Sequence, residues 1–446
     1  MRSDIVLLSC RILSARQAFS SLASSRPWSR TSVPGDARAV DYRWRCCQVG
    51  LLLAGAVAAG GCAVASAGPA GKGTSYQEDV AFLRKHTPVI ELRAGNGRVA
   101  VTPAFQGRVM TCGVSPDGPS LGWINRTLIP GGDQDIPFNS YGGQDRFWLG
   151  PEGGQYTIYF KKDVPQNYDT WRVPKDLNMG PFVVDAQDAS SVRMHRSVRV
   201  TNAAGTTFDV DVHRTIRVID RTEAQRLLNI TIPANVAYVG SVSENRITNV
   251  GDAPWKPETG TVNIWTLGMF AGRKEAVVIA PYNKAGTGPE ANTAYFANQP
   301  SDRIVVDRQA GVVLMRGDGA CMTKFGLSAS RATDRMASIN FATGVLTVAH
   351  FDRTPNATQY GNCVMMPHQD DPYGGDAIQS YNHHGKTLAP FYELESCSPA
   401  AFLAPGRYLA HNHRVLQFQG PLEALSKLTQ QLLGISLDQV RRQMPM

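Results

Sequence analysis

The chain has 446 residues, enough to bury a large core, and its 43% apolar and 18% charged content excludes wholesale disorder, a coiled coil and a collagen-like repeat. Of its net charge of +8, five charges belong to residues 1–62, which hold eight Arg and three Asp. The remainder is weakly basic and carries no Lys/Arg cluster with interleaved aromatics, so no nucleic-acid partner is expected.

Residues 1–39 are Ser/Arg-rich, without apolar periodicity, and are left unassigned; a start codon placed too far upstream would explain them, and an unusually long n-region is the alternative. Residues 40–62 read as a signal peptide. Arg43 and Arg45 precede a short apolar run, residues 49–59, that is too short to span a bilayer. The run ends in Ala59-Gly60-Gly61-Cys62, which resembles a bacterial lipobox with Cys62 as the lipidated residue. Ala65-Ser66-Ala67 is an alternative site for ordinary cleavage. Either reading exports the body, and the lipobox adds a membrane partner through an N-terminal anchor, at the periplasmic or outer surface. Residues 63–75 are small and Gly-rich, as a flexible tether is.

From residue 97 onward the dominant pattern has period two. Val192, Met194, Val198 and Val200, then a turn at residues 202–205, then Phe208, Val210, Val212, Ile216 and Val218 predict one long hairpin, with Arg196 and Arg214 on its apolar parity. Tyr156, Ile158 and Phe160 alternate in the same way, and residues 303–317 and 336–351 each read as two strands around a Gly turn. Helical spacing is confined to residues 78–85 and to the C-terminus. There Leu422, Leu425, Leu428, Leu432 and Leu433 form a stripe after Pro421, Gly434 ends it, and Ser436 caps a second short helix. About fifteen strands joined by short turns imply an all-β fold, a large antiparallel β-sandwich over residues 76–420, with helices in 421–446. The cysteines Cys112, Cys321, Cys363 and Cys397 form no C-x-x-C pair; buried thiols or two disulfides both remain open.

Four polar clusters stand out. Residues 140–156 place Asp145, Arg146, Trp148 and Glu152 among five glycines; an aromatic face beside directional polar groups suits a sugar ring, and a bulged strand pair with an Asp145–Arg146 interaction is the alternative. Residues 244–255 carry Asn249, either a turn cap or a ligand contact, and Asp252; Trp265, which follows, reads as core. Residues 366–384 are loop-like and rich in His, Asp and Asn, with Asn382 a candidate ligand contact. Their spacing matches no zinc signature, and no metal or cofactor is expected. In residues 391–397, Glu393 and Glu395 fall on one face of a strand and must meet solvent or a polar pocket, since a bare core would penalise both. A partly dry pocket raises carboxyl pKa values, which suits acid/base work.

Leu394-Glu395-Ser396 followed by Pro405-Gly406-Arg407-Tyr408 and Phe418 resembles the closing L-E-T-Q and P-G-x-Y strands of the aldose 1-epimerase (galactose mutarotase) superfamily. Residues 141–147 resemble that family's early N-R-I motif, and Thr248-Asn249 its T-N-x-T-H motif, with Asp252 where the family has a catalytic His. The resemblance implies a galactose mutarotase-like sandwich, a carbohydrate ligand, Glu395 as general base and Arg146 as sugar contact. It leaves the acid open among His213, His350, His383 and His384. The functional expectation is an exported protein acting on or binding a sugar, with a surface-anchored interaction protein as the alternative.

Overall fold

The computed structural model describes residues 73–296, 299–384 and 389–446. The expected signal peptide, Cys62 and all but the last residues of the tether lie outside the described residues.

In chain order the elements are helix α1 (Tyr76–Arg84); strands β1 (Ile90–Ala94), β2 (Gly97–Thr102), β3 (Arg108–Gly113) and β4 (Arg146–Gly150); the one-turn helix α2 (Lys175–Asn178); strands β5 (Val183–Gln187), β6 (Ser191–Thr201) and β7 (Thr207–Ile219); and helix α3 (Arg221–Leu228). There follow β8 (Ala237–Asn249), β9 (Asn263–Ala271), β10 (Ala276–Pro281), β11 (Ile304–Asp307), β12 (Val312–Arg316), β13 (Thr323–Ser328), β14 (Arg335–Asn340), β15 (Val345–Phe351), β16 (Asp376–Asn382), β17 (Phe391–Cys397) and β18 (Tyr408–Gln419), then helices α4 (Leu422–Leu433) and α5 (Leu437–Gln443).

The predicted hairpin is β6–β7, paired from Ser191 opposite Arg217 to Thr201 opposite Thr207, and its turn carries Gly205 at φ 92°, where only glycine is unstrained. Its apolar parity is buried while alternate residues meet solvent or are half-covered. The strands make three antiparallel sheets: β1-β2-β3, a ten-stranded β11-β12-β10-β14-β15-β18-β8-β7-β6-β5, and a five-stranded β13-β16-β17-β9-β4. One face of the five-stranded sheet packs on the ten-stranded sheet, as Tyr392 Oη against Ser338 Oγ at 2.8 Å and Ser396 Oγ against His411 and His413, each at 2.8 Å, show. A second core lies behind the ten-stranded sheet, where Ile279, Leu314, Val348 and Phe418 meet Leu228 of α3 and the α4 stripe. The fold is thus an all-β antiparallel sandwich with a C-terminal helical tail, and α5 starts at Ser436, whose side chain accepts the Gln439 amide.

Three local expectations are corrected. Tyr156, Ile158 and Phe160 form no strand: Thr157 bonds back to Gly154 and Ile158 to Pro151, so the segment turns on itself and buries consecutive residues. The polar run 366–384 is a loop only in its first half; from Asp376 it is β16, an interior strand of the five-stranded sheet. Helix α3 has no long apolar stripe to announce it and is held by the Asp220 cap and by Ala224 and Leu228 against the second core. All four described cysteines are free thiols, three of them buried.

Candidate functional site: an aromatic cavity with five buried charges

Strand parity builds the site. Asp145, bridged to Val109 just before β4, and Arg146, the first residue of β4, are neighbours in extended backbone and therefore point to opposite faces of the sheet. Asp145 points inward and pairs with Arg214 of β7, which also donates to Asn245 Oδ1 (2.6 Å) and Gly107 O (3.0 Å). Arg146 points outward and donates from Nη2 to Glu393 Oε1 at 2.9 Å. The two residues therefore do not bridge each other. The backbone enters β4 through Gly142 and Gly143, at φ 93° and 101°; a Cβ on Gly142 would lie 2.1 Å from the Trp123 carbonyl oxygen.

Register then aligns the outward residues. Arg146 faces Leu267 on β9, Leu267 faces Glu395 on β17, and Glu395 faces Gln379 on β16. One step along, Glu393 faces Met269, and Lys324 of β13 faces Tyr381. On this face lies a cavity of about 180 Å³. Its floor includes Arg146, Trp148, Trp265, Lys324 and Glu393, and loops supply Glu152, Tyr168, Trp171, Tyr295 and Phe296 as walls. His383 and Phe391, stacked at 4.8 Å, close one side.

Five charges meet there. The Lys324 ammonium stands 3.6 Å from Glu152 Oε2 and 3.7 Å from Glu395 Oε2, and over the Tyr295 and Trp265 rings at 4.9 and 5.1 Å. Glu395 also accepts the Trp265 indole N–H at 2.9 Å, and Glu152 that of Trp171 at 3.1 Å. The Arg146 guanidinium lies 4.0 Å from the Trp148 ring. Burial pushes the Glu393 carboxyl up to about 7, with Arg146 pulling it back and Glu395 adding to the rise. Burial also raises Glu152, against the pull of Lys324. Burial alone would lower Lys324, but Glu395 and Glu152 outweigh it and hold the ammonium firmly charged. Burial beside His384 depresses His383 to about 4, so its imidazole is neutral near pH 7. Arrays that shift several buried acids in a cleft are the pattern of binding and proton-transfer sites.

The structure brings together Arg146, Trp148, Glu152 and Glu393 as cavity lining. Glu395 lies directly beneath, fully buried, with Oε1 lacking a hydrogen-bond partner among the described residues. The remaining candidates stand elsewhere. Asp145 is in the sheet interface with Arg214. Asn249 caps its turn, accepting from Gly251 N and donating to Ala253 O and Leu403 O. Asp252 is exposed on that turn, and Asn382 donates to Cys321 O at 2.7 Å. Of the four histidines, His383 lines the cavity, whereas His213 bonds Asp211 and His350 pairs with Asp334. Trp265 is in the core as expected, and its buried ring also forms part of the cavity floor. Sequence reasoning missed Lys324, Trp171, Tyr168 and Tyr295. Lys324 alone left a trace, as a charge on the parity opposite Phe325 and Leu327 in a buried strand. Among the described residues no group of three or more His, Cys, Asp or Glu is disposed to hold a metal ion.

Fold and site together define a β-sandwich with an aromatic, charge-lined cavity on one sheet. The chain belongs to a family of unknown function, DUF6786, whose model matches residues 74–444. No curated protein matches it. Its structure is similar to that of a putative aldose 1-epimerase from Escherichia coli K12 (TM-score 0.44, 11% identity, covering 74% of this chain and 98% of that one). It is also similar to a galactose mutarotase-like protein from Lactobacillus casei ATCC 334 (TM-score 0.41, 10% identity, 74% and 100% covered). A third similar structure is a galactose mutarotase related enzyme from Lactobacillus acidophilus (TM-score 0.41, 8% identity, 75% and 98% covered).

Proposed function

We propose that the cavity takes one sugar ring and that the protein acts on it by general acid/base chemistry of the aldose 1-epimerase kind. The supporting observation is Glu393: a cavity-lining carboxyl with its pKa raised to about 7, set among indole faces. A sugar offers C–H faces to the tryptophans and hydroxyls to the carboxylates, and a group titrating near neutrality both takes and returns protons efficiently. Ring opening needs a base for the anomeric hydroxyl proton and an acid for the ring oxygen as the C1–O bond breaks. Glu393, partly protonated near neutrality, is our assignment for the acid, and the neutral His383 imidazole, which can take a proton but has no acidic one to give, for the base; both line the cavity. Glu395, which the sequence resemblance makes the general base, here sets the field from beneath, through Trp265 and Lys324.

A binding protein without turnover is the second reading, and the complete burial of Glu395 favours it. Calorimetric titration with a panel of hexoses, followed by polarimetric mutarotation rates, separates the two. Turnover that falls about 10²–10⁴-fold in Glu393→Gln, with binding retained, supports the enzyme. Binding with no rate enhancement supports the binder. No sugar binding at all refutes both. Export and lipid anchoring at Cys62 belong to the same proposal and rest on the sequence of residues 40–62.

A further inference from the structure

We propose that Glu152 makes the cavity select against acidic sugars, by occupying the Lys324 ammonium that would otherwise hold one; the inference rests on the carbohydrate reading above. The cavity and its floor carry two cations, Arg146 and Lys324, against three carboxylates, Glu152, Glu393 and Glu395. Both cations are engaged: Arg146 by Glu393 at 2.9 Å, Lys324 by Glu152 and Glu395 at 3.6 and 3.7 Å. No other Lys or Arg lines the cavity among the described residues. A ligand carboxylate would therefore enter a site with a surplus of negative charge and no free donor of positive charge, in surroundings where that repulsion is poorly screened.

The two partners of Lys324 are not equivalent. Glu395 is sealed under the floor and fixed by the Trp265 indole. Glu152 comes from the loop after β4 and lines the cavity itself, so it stands between Lys324 and a ligand. Neutralising Glu152 removes the surplus charge and turns one ammonium hydrogen toward the ligand. A charge-assisted hydrogen bond changes affinity by roughly 10- to 100-fold.

The test titrates the full chain at about pH 8 with glucose, galactose, glucuronate and galacturonate. Wild-type protein should prefer the neutral hexoses. Glu152→Gln keeps the shape and the Trp171 hydrogen bond, and should raise the uronate-to-hexose affinity ratio by about 10- to 100-fold. Adding Lys324→Gln should cancel that gain, and Glu152→Ser, which removes the charge with a smaller side chain, should move the ratio in the same direction. An unchanged ratio in a folded Glu152 variant that still binds hexoses overturns this inference alone. So does a wild-type preference for a uronate over the neutral hexoses. A wild-type protein that binds none of these sugars overturns the carbohydrate reading and this inference with it.

Discussion

Replacing Glu393 with Gln should stabilise the protein at pH 8, although it removes half of a buried ion pair. Breaking such a pair usually costs about 3–5 kcal/mol, because a charge is left uncompensated in a dry site. Here the charges are uneven: three carboxylates share two cations, so one carboxylate is surplus. Burial first, with the surplus charge of Glu395 and Glu152 adding to it, is why the Glu393 carboxyl stands at about 7 rather than near 4.5, even with Arg146 at 2.9 Å. A folded pKa above the unfolded one means that the folded state holds the proton more tightly. Stability contributed by the protonated group is therefore complete below about pH 4.5 and lost as pH rises to about 7, by up to about 3 kcal/mol. Gln mimics the protonated acid at every pH. Urea unfolding at pH 5 and pH 8 should then show the variant within about 1 kcal/mol of wild type at pH 5 and about 2–3 kcal/mol more stable at pH 8. The matched control, Lys324→Met, leaves three carboxylates with one cation and should cost about 3–5 kcal/mol. A Glu393→Gln variant that is less stable than wild type at pH 8 would show that Arg146 depends on Glu393, and would refute the surplus-charge argument. A carboxyl that weakens the fold where it lines a cavity is the usual signature of a group kept for function.

Arg214→Met should lower stability by about 3–5 kcal/mol, read as a drop in the urea midpoint at constant slope, because it strands Asp145 in the interface between the sheets. His411 and His413 are buried against Ser396 with pKa values depressed to about 3 and about 4, so the fold should lose stability as pH falls below about 6.5, where the unfolded chain begins to take up the protons; His413→Asn should flatten that acid limb. Intact mass of the membrane fraction should show a chain beginning at lipidated Cys62; a soluble form beginning at Gly68 would instead support cleavage after Ala67.

Much of the architecture was legible because it is local. The side-chain period of two in residues 192–218, the Gly205 turn and the leucine stripe after Pro421 each report a buried face within a few residues of chain. The placement of Glu393 and Glu395 on one face followed from the same period, and so did the need for a polar setting. Local pattern misled where it lacked a pairing partner, as at Tyr156–Ile158–Phe160, where the backbone bonds to itself instead of to a strand. It was also blind to α3, which is held by tertiary contact rather than by its own stripe.

What the sequence alone determined, then, was which residues are bound to share a face and which neighbours are bound to part. Asp145 and Arg146 had to point to opposite sides once they entered a strand; nothing local could say that their partners would be Arg214 and Glu393, 69 and 247 positions away. Sheet order decided that. It carried β13 to within reach of β17, and so put Lys324 between Glu395 and Glu152, and it left Asp252 on an exposed turn outside the cavity. The ionisation of the site is likewise tertiary. A carboxyl's pKa depends on how many charges burial forces into one dry space, and that number is set by the packing of strands remote in sequence rather than by the strand that bears the carboxyl.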